Sequence, residues 1–424
     1  MSAMKTTLKP VGSLRLTVAL MALAIVLIFC ATWAQIDKGI WAIIDEYFRS
    51  FWIWVPFRIF MAPSAHEQSM SNLGFPLPGG YLVGGALLVN LLAAHAVRFK
   101  ISWHRSGILM IHASVILLLV GQAITGEMAL ERQMPIYEGQ SRDWGHDIRE
   151  VELAIVDHGL ADCDQVAVLR QSRLETVKEK IRDDALPVDL KVEQFMVNSR
   201  VSAAVDRGHP GVTHGLGKHF EAIEVREVSG VGGQSVNYPS AVISLFMKDG
   251  DLIGRYLVSP HFHPLWITMS LRNQRPDLAL ALVSGHVPDD QVEIIGQTVE
   301  VGAQSVSIYL RFRRYYNPYT MRLTDFTHEF YTGTQVHKSF SSLIHLTAPN
   351  VDRDALIYMN HPLRYEGETF FQSGWLGADQ GTVLQVVRNP AWQIPYIACL
   401  IGAVGLLTHF GIHLIRFVRR SLTH

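Results

Sequence analysis

In the stretch SGILMIHASVILLLV, Ser106 to Val120, a single side chain titrates, namely His112. It lies about five residues, roughly 8 Å, inside an otherwise apolar helix. An imidazole at that depth is costly, and such residues usually face a helix bundle, a water path or a cofactor. Neutral imidazole is a standard axial ligand for haem iron. The competing reading is a hydrogen bond to a neighbouring helix, for example at Asn90. Three more histidines lie near the inner ends of other apolar runs. His95 closes a second apolar run, and His409 and His413 close a third, spaced i,i+4 on one helix face that Arg416 and Arg420 continue. Four histidines from three runs would then share one leaflet beside a rim of cations. That combination suits a haem, which needs an apolar slot, axial nitrogens and cations for its propionates. Against this, terminal His and Arg side chains also snorkel to an interface. His104, in a basic loop, reads as ordinary surface.

Elsewhere the chemistry is thinner. RGHPGVTHGLGKHF holds His209, His214 and His219 in a Gly-rich stretch whose spacing matches no zinc signature, and it reads as a solvated loop. HFHP places His261 and His263 on the same side of an expected strand. The sequence contains no C-x-x-C-H, no C-x-x-C, no phosphate loop, no dinucleotide fingerprint and no nucleophile elbow. No soluble catalytic constellation emerges.

The elements that must position these residues follow from hydropathy. Apolar runs at Leu16–Trp33, Gly79–Val97, Gly107–Ile124 and Ile394–Ile415 are each long enough to cross a hydrocarbon core as a helix. Short basic segments border them: Lys5, Lys9 and Arg15; Arg98, Lys100 and Arg105; Arg416, Arg419 and Arg420, with no Asp or Glu among them. The positive-inside rule places these segments, and both termini, in the cytoplasm. Setting those cations aside, the rest of the 37 Lys and Arg face all 38 Asp and Glu, so the outer side is acidic, which argues against nucleic acid as a partner. The first run reads as a retained span. Thr32-Trp33-Ala34 is a tolerable cleavage site, but the run exceeds a usual signal core, and Phe29 spoils a lipoprotein site at Cys30.

The expected fold is a four-helix transmembrane bundle with a large β-rich, sandwich-like extracytoplasmic domain. Residues 1–126 would hold three spans and an outer aromatic loop at about 38–78; residues 127–390 would form the β-rich domain; residues 391–424 would form the last span and a basic tail. Within the loop, IWAIIDEYFRSFWIWVPFRIF suggests either an interfacial helix or a cap on the bundle. VELAIVD, YPSAVISLFM, DLIGRYLVS, QVEIIGQTVEV and SVSIYLRFRRYY are short, β-branched or alternating, and punctuated by Gly, Asp or Pro, as strands are. CDQVAVLRQSRLETVKEKIRDD reads as a solvent-facing helix. Three cysteines are too few to hold an exported domain together by disulfides; Cys30 and Cys399 fall in the outer halves of their helices, where a pair or simple packing are both open.

Several stretches resemble ResB-type proteins of System II cytochrome c biogenesis. These are LIFCATWAQID, LLVNLLAAHAVRFK and IHASVILLLVGQAITG, then PYTMRLTDFTHEFYTGTQVHKSFSSLIHL, IYMNHPLRYEGETFFQSGW and TVLQVVRNPAWQIPYI. NHPLRYEGETFFQSGW is the most specific of them; from about Val151 to Ile308 nothing is diagnostic. The resemblance implies a non-enzymatic subunit of the inner membrane that binds haem transiently. It would work beside a CcsA/ResC-type membrane partner, deliver haem to apocytochrome c, and meet a thiol-reducing thioredoxin-like protein. A span-three histidine resembling His112 serves as a haem ligand in that family. His95, His409 and His413 match no family motif and rest on position alone. Two rivals stand beside this reading: a b-type electron-transfer cytochrome and a membrane-anchored scaffold.

Overall fold

Four helices, Leu14–Ala34, Gly80–Arg98, Ser106–Met128 and Ile394–Ser421, are long and apolar enough to cross a membrane. The computed structural model describes the whole chain except residues 1–7, 37, 61–72, 99–101, 158, 160–162, 185, 205, 229–235, 273–274, 284–293, 303, 335, 377–379 and 423–424. Lys5 and Lys100 of the basic segments therefore lie outside the described residues. The chain divides into two compact units. Among the described residues the first comprises those up to 130 and from 389 onward, and the second those between 131 and 388.

In the first unit the helices do not gather into a regular four-helix bundle. The first pairs with the second, and the third with the fourth. Asn90 holds the first pair together: its Nδ2 donates to Val11 O at 2.6 Å, and Thr17 Oγ1 donates to its Oδ1 at 2.6 Å. A buried amide in an apolar helix must find such partners, and here it finds Thr17 on the first helix and Val11 just before it. The second pair meets through small residues. Gly107, Ser114 and Gly121 are spaced by seven on the buried stripe of the third helix, and Ala398, Gly402 and Gly405 face them from the fourth. A Cβ added at Gly405 would fall 3.0 Å from Gly107 O, and one at Gly107 would fall 2.6 Å from the His409 nitrogen. With backbones this close no side chain fits, so Gly405→Leu is expected to force the helices apart. The cost should be about 1–3 kcal/mol, read as a lower thermal midpoint in detergent.

The aromatic segment after the first helix is a cap rather than a long interfacial helix. A short helix at Ile40–Ile43 and a π-turn at Ile44–Phe48 lead to β1 (Trp52–Pro56), which pairs antiparallel with β2 (Gly74–Pro78). Alternation in β1 buries Ile53 and Val55 against Leu27, Ala31 and Tyr47, and turns Trp52 and Trp54 outward. Cys30 is buried in the same core while Cys399 and Cys163 are exposed, and all three are free thiols.

The second unit is β-rich. One ten-stranded sheet organises it: β14 (Val351–Tyr358), β13 (His337–Ala348), β12 (Gln304–Phe330), β4 (Ser141–Asp157), β3 (Leu130–Tyr137), β17 (Gly381–Arg388), β16 (Glu368–Leu376) and β15 (Leu363–Tyr365) in order, with β11 (Gln297–Val301) on β12 and β5 (Gln165–Arg170) on β4. A three-stranded sheet of β10 (Leu252–Val258), β9 (Ser240–Phe246) and β6 (Asp189–Met196) packs Tyr256, Ile243 and Leu190 against Leu153, Ile155 and Ile308 of the large sheet. β7 (Ser199–Ala203) and β8 (Phe220–Glu224) form a small ribbon beside helices Pro264–Leu271 and Pro276–Val283. The 27-residue β12 joins two cores. Val306, Ile308 and Leu310 enter the first, while Met321, Leu323 and Phe326 enter a second with Ile136, Ile344 and Phe370. The helix expected across CDQVAVLRQSRLETVKEKIRDD is corrected. QVAVLR is β5, paired antiparallel to β4 from Asp157–Gln165 to Glu152–Arg170, and only Gln171–Thr176 is helical.

Candidate functional site

The second and third helices touch at both ends. At one, Tyr81 Oη donates to the Glu127 carboxylate; at the other, the His95 and His112 rings meet edge to face with centroids 4.8 Å apart. His112 Nδ1 lies 3.1 Å from His95 Nε2, and His95 Nδ1 lies 2.9 Å from Leu91 O. A carbonyl accepts only, so a neutral His95 carries its proton on Nδ1 and is bare at Nε2. That nitrogen accepts from His112 Nδ1–H, which leaves the lone pair of neutral His112 on Nε2. Among the described residues nothing hydrogen-bonds His112 Nε2. The chain of bonds fixes the tautomer and orients the ring, the arrangement that protein metal sites use to present an imidazole. The hydrogen bond considered between His112 and Asn90 does not form. Asn90 is committed to the first helix, and His112 takes His95 instead.

The four membrane-segment histidines are thus two pairs. His409 and His413 contact each other on the fourth helix, with ring centroids 4.6 Å apart and His413 exposed. Among the described residues no hydrogen bond or ring contact joins them to His95 or His112. The backbone of His409 packs on Gly107, so this position serves the helix contact. His104 is exposed.

In the second unit, His209 is buried with its Nδ1 accepting from Ala222 N at 3.3 Å, and His214 stacks on Tyr256. Neither joins a metal-ligating group; among the described residues no cluster of three or more His, Cys, Asp or Glu could hold an ion. HFHP is not a strand. It is the turn between β10 and helix Pro264–Leu271, because Pro264 starts that helix. His261 and His263 both line a cavity of about 490 Å³ together with His146, which sequence reasoning did not single out. Burial, helped by Arg314 and Arg142, pushes the His146 imidazole down to about 4. The sign follows: the unfolded chain binds this proton more readily, so stability holds above about pH 6.5 and is lost as pH falls toward 4. The expected loss is at most about 3 kcal/mol, and His146→Gln should flatten that part of the pH profile of unfolding.

NHPLRYEGETFFQSGW folds as the β15–β16 hairpin. Tyr365 pairs with Glu368, and Glu366 and Gly367 take the positive φ values of 48° and 75° that the two-residue turn requires. Glu368 is buried. It forms an ion pair with Arg132 and accepts from Tyr319 Oη.

The fold is that of a protein with membrane-length apolar helices that carry a hydrogen-bonded imidazole pair, and a β-rich second unit. Residues 289–381, which run through β11 to β16, match the ResB-like family, and over that stretch the chain is of the ResB type. Protein NrfI of Wolinella succinogenes is 28% identical over 92 residues, amounting to 21% of this chain and 10% of NrfI. The chain thus covers about a tenth of that relative's length.

Proposed function

We propose that this chain is a membrane assembly factor of cytochrome c maturation that takes haem as cargo, not an enzyme in its own right. The ResB-like segment supports the pathway. The observation that carries the haem role is the Leu91–His95–His112 relay, which leaves one lone pair at His112 Nε2. His112 would bind the iron and His95 would position it. A CcsA/ResC-type partner would supply the second ligand, since His95 spends its Nε2 on His112. Haem iron supplies reducible chemistry to the later attachment step, which would take place on the partner and apocytochrome c. His409 and His413, with Arg416 and Arg420, would serve as a basic inner rim for propionates. The basic segments put both termini in the cytoplasm of an inner-membrane protein and the β-rich unit outside, where apocytochrome c and a thioredoxin-like reductant would meet it.

The test is co-expression of the full chain with the partner in cells lacking their own copy. Mature c-type cytochrome should form with the wild type and with His104→Ala, and fail with His112→Ala. Equal maturation by all three would remove His112 from the haem route.

A further inference from the structure

We propose that the cavity between Trp144, His146, Tyr238, His261, Phe312 and Arg314 is a second binding site on this chain, for a flat aromatic macrocycle that carries carboxylates and a central iron, with His146 facing the metal.

The cavity lies wholly within the β-rich unit. Its volume of about 490 Å³ falls inside the range of about 300–1,000 Å³ typical of cofactor sites. It exists because of a bulge. Between Val151–Phe312 and His146–Arg314, β4 carries four residues where β12 carries one. The bend turns His146, Phe312 and Arg314 toward a common space. The walls are aromatic: His146 stacks on Phe312 with centroids 5.9 Å apart, Tyr238 meets Phe312 edge to face at 5.5 Å, and His261 lies 4.9 Å from Tyr238. Rings at these spacings favour a planar π-ligand.

The charges select for an anion. Arg311 and Arg314 line the cavity and no lining residue is acidic. Arg311 pairs with Glu152 at 3.0 Å and Arg314 lies over the Trp144 ring at 4.0 Å, so two guanidinium groups border the space.

The nitrogens select for a metal that brings its own equatorial donors. A bare ion needs three or four protein ligands, and the described residues provide no such set. Iron in a porphyrin needs only one or two axial imidazoles. His261 Nε2 donates to Ser199 O at 3.2 Å and is held in place, whereas no hydrogen bond from the described residues reaches the His146 ring. His146 is also uncharged at neutral pH, so its lone pair is available. The choice of porphyrin rests on the haem-handling reading; the cavity, its charge and its bare imidazole do not.

The test uses the full chain in detergent, titrated with haemin and with metal-free protoporphyrin IX. Soret absorbance, electron paramagnetic resonance and tryptophan quenching report binding. In the His95→Ala, His112→Ala double variant, one equivalent of haemin should still bind with a nitrogen-ligated spectrum. Adding His146→Ala should weaken haemin at least about tenfold, since loss of a ligand costs no less than loss of its supporting partner. Metal-free protoporphyrin, which needs no axial nitrogen, should bind that variant unchanged, while Arg314→Gln should weaken both. Should His146→Ala unfold the chain, His146→Gln replaces it. If the double variant takes up no haemin while the wild type takes one equivalent, the cavity proposal is overturned and the membrane reading stands. If the wild type and double variant both bind one equivalent, abolished by His146→Ala, the cavity stands and the membrane pair falls. Haemin uptake indifferent to His146 and Arg314, or unsaturable, also overturns the proposal.

Discussion

Purified together with the proposed partner, His112→Ala is expected to lose its ligated haem: the low-spin spectrum of the wild-type complex disappears, and any residual haem is high-spin. The effect should be large because the lost atom is the Nε2 whose lone pair the relay exposes. His95→Ala makes the instructive comparison. It removes only the acceptor at 3.1 Å, so His112 keeps its nitrogen but gains rotational freedom and a second tautomer. Affinity should fall about 10- to 100-fold while the ligation spectrum, once saturated, survives. Added imidazole should restore a low-spin spectrum to His112→Ala and leave His95→Ala unchanged. Identical spectra and haem content for wild type and His112→Ala would end the assignment. His409→Ala and His413→Ala, which lie apart from the relay, should leave axial ligation intact and at most weaken retention.

Replacing Glu368 by alanine is expected to cost the β-rich unit about 3–5 kcal/mol, the usual penalty for stranding one partner of a buried ion pair. Arg132 and Glu368 are 5% and 6% exposed, so water cannot take over the guanidinium. Arg132 Nε already lacks a hydrogen-bond partner, and removing the carboxylate would also orphan its Nη2 and the Tyr319 hydroxyl. Against a typical total of about 5–15 kcal/mol, that loss is enough to bring most of the unit near its unfolding midpoint. Glu368→Gln keeps acceptor geometry but not charge, and should fall between the two. Limited proteolysis and near-ultraviolet circular dichroism report the loss. A midpoint for Glu368→Ala equal to wild type would show that the pair contributes nothing net.

Much of the architecture was legible locally. The four helices follow from uninterrupted hydropathy, which any one segment carries by itself. VELAIVD, YPSAVISLFM and SVSIYLRFRRYY became β4, β9 and β12 because short β-branched or alternating runs favour a strand whatever the partner. The β15–β16 turn is readable from Glu-Gly, since glycine is what a positive φ asks for. His112 stood out for a similar reason: an imidazole in hydrocarbon needs a partner, and sequence reveals that need.

Which partner it takes is a different kind of information. That His112 meets His95 and not Asn90 or His409 depends on the rotation of each helix about its axis, and Gly107, Gly405 and Asn90 set those contacts from far along the chain. The segment QVAVLR became a strand because β4 offered it an edge, and Trp52–Pro56 became a strand on Gly74–Pro78 with Ile53 and Val55 packed on the first helix. His146 gave no signal at all. Its burial, its neighbouring arginines and its open cavity come from a register shift between strands more than 150 residues apart. Composition and period determine which segments must leave water; only long-range packing decides which side chains they bring together, because that choice is made by geometry between elements and not within them.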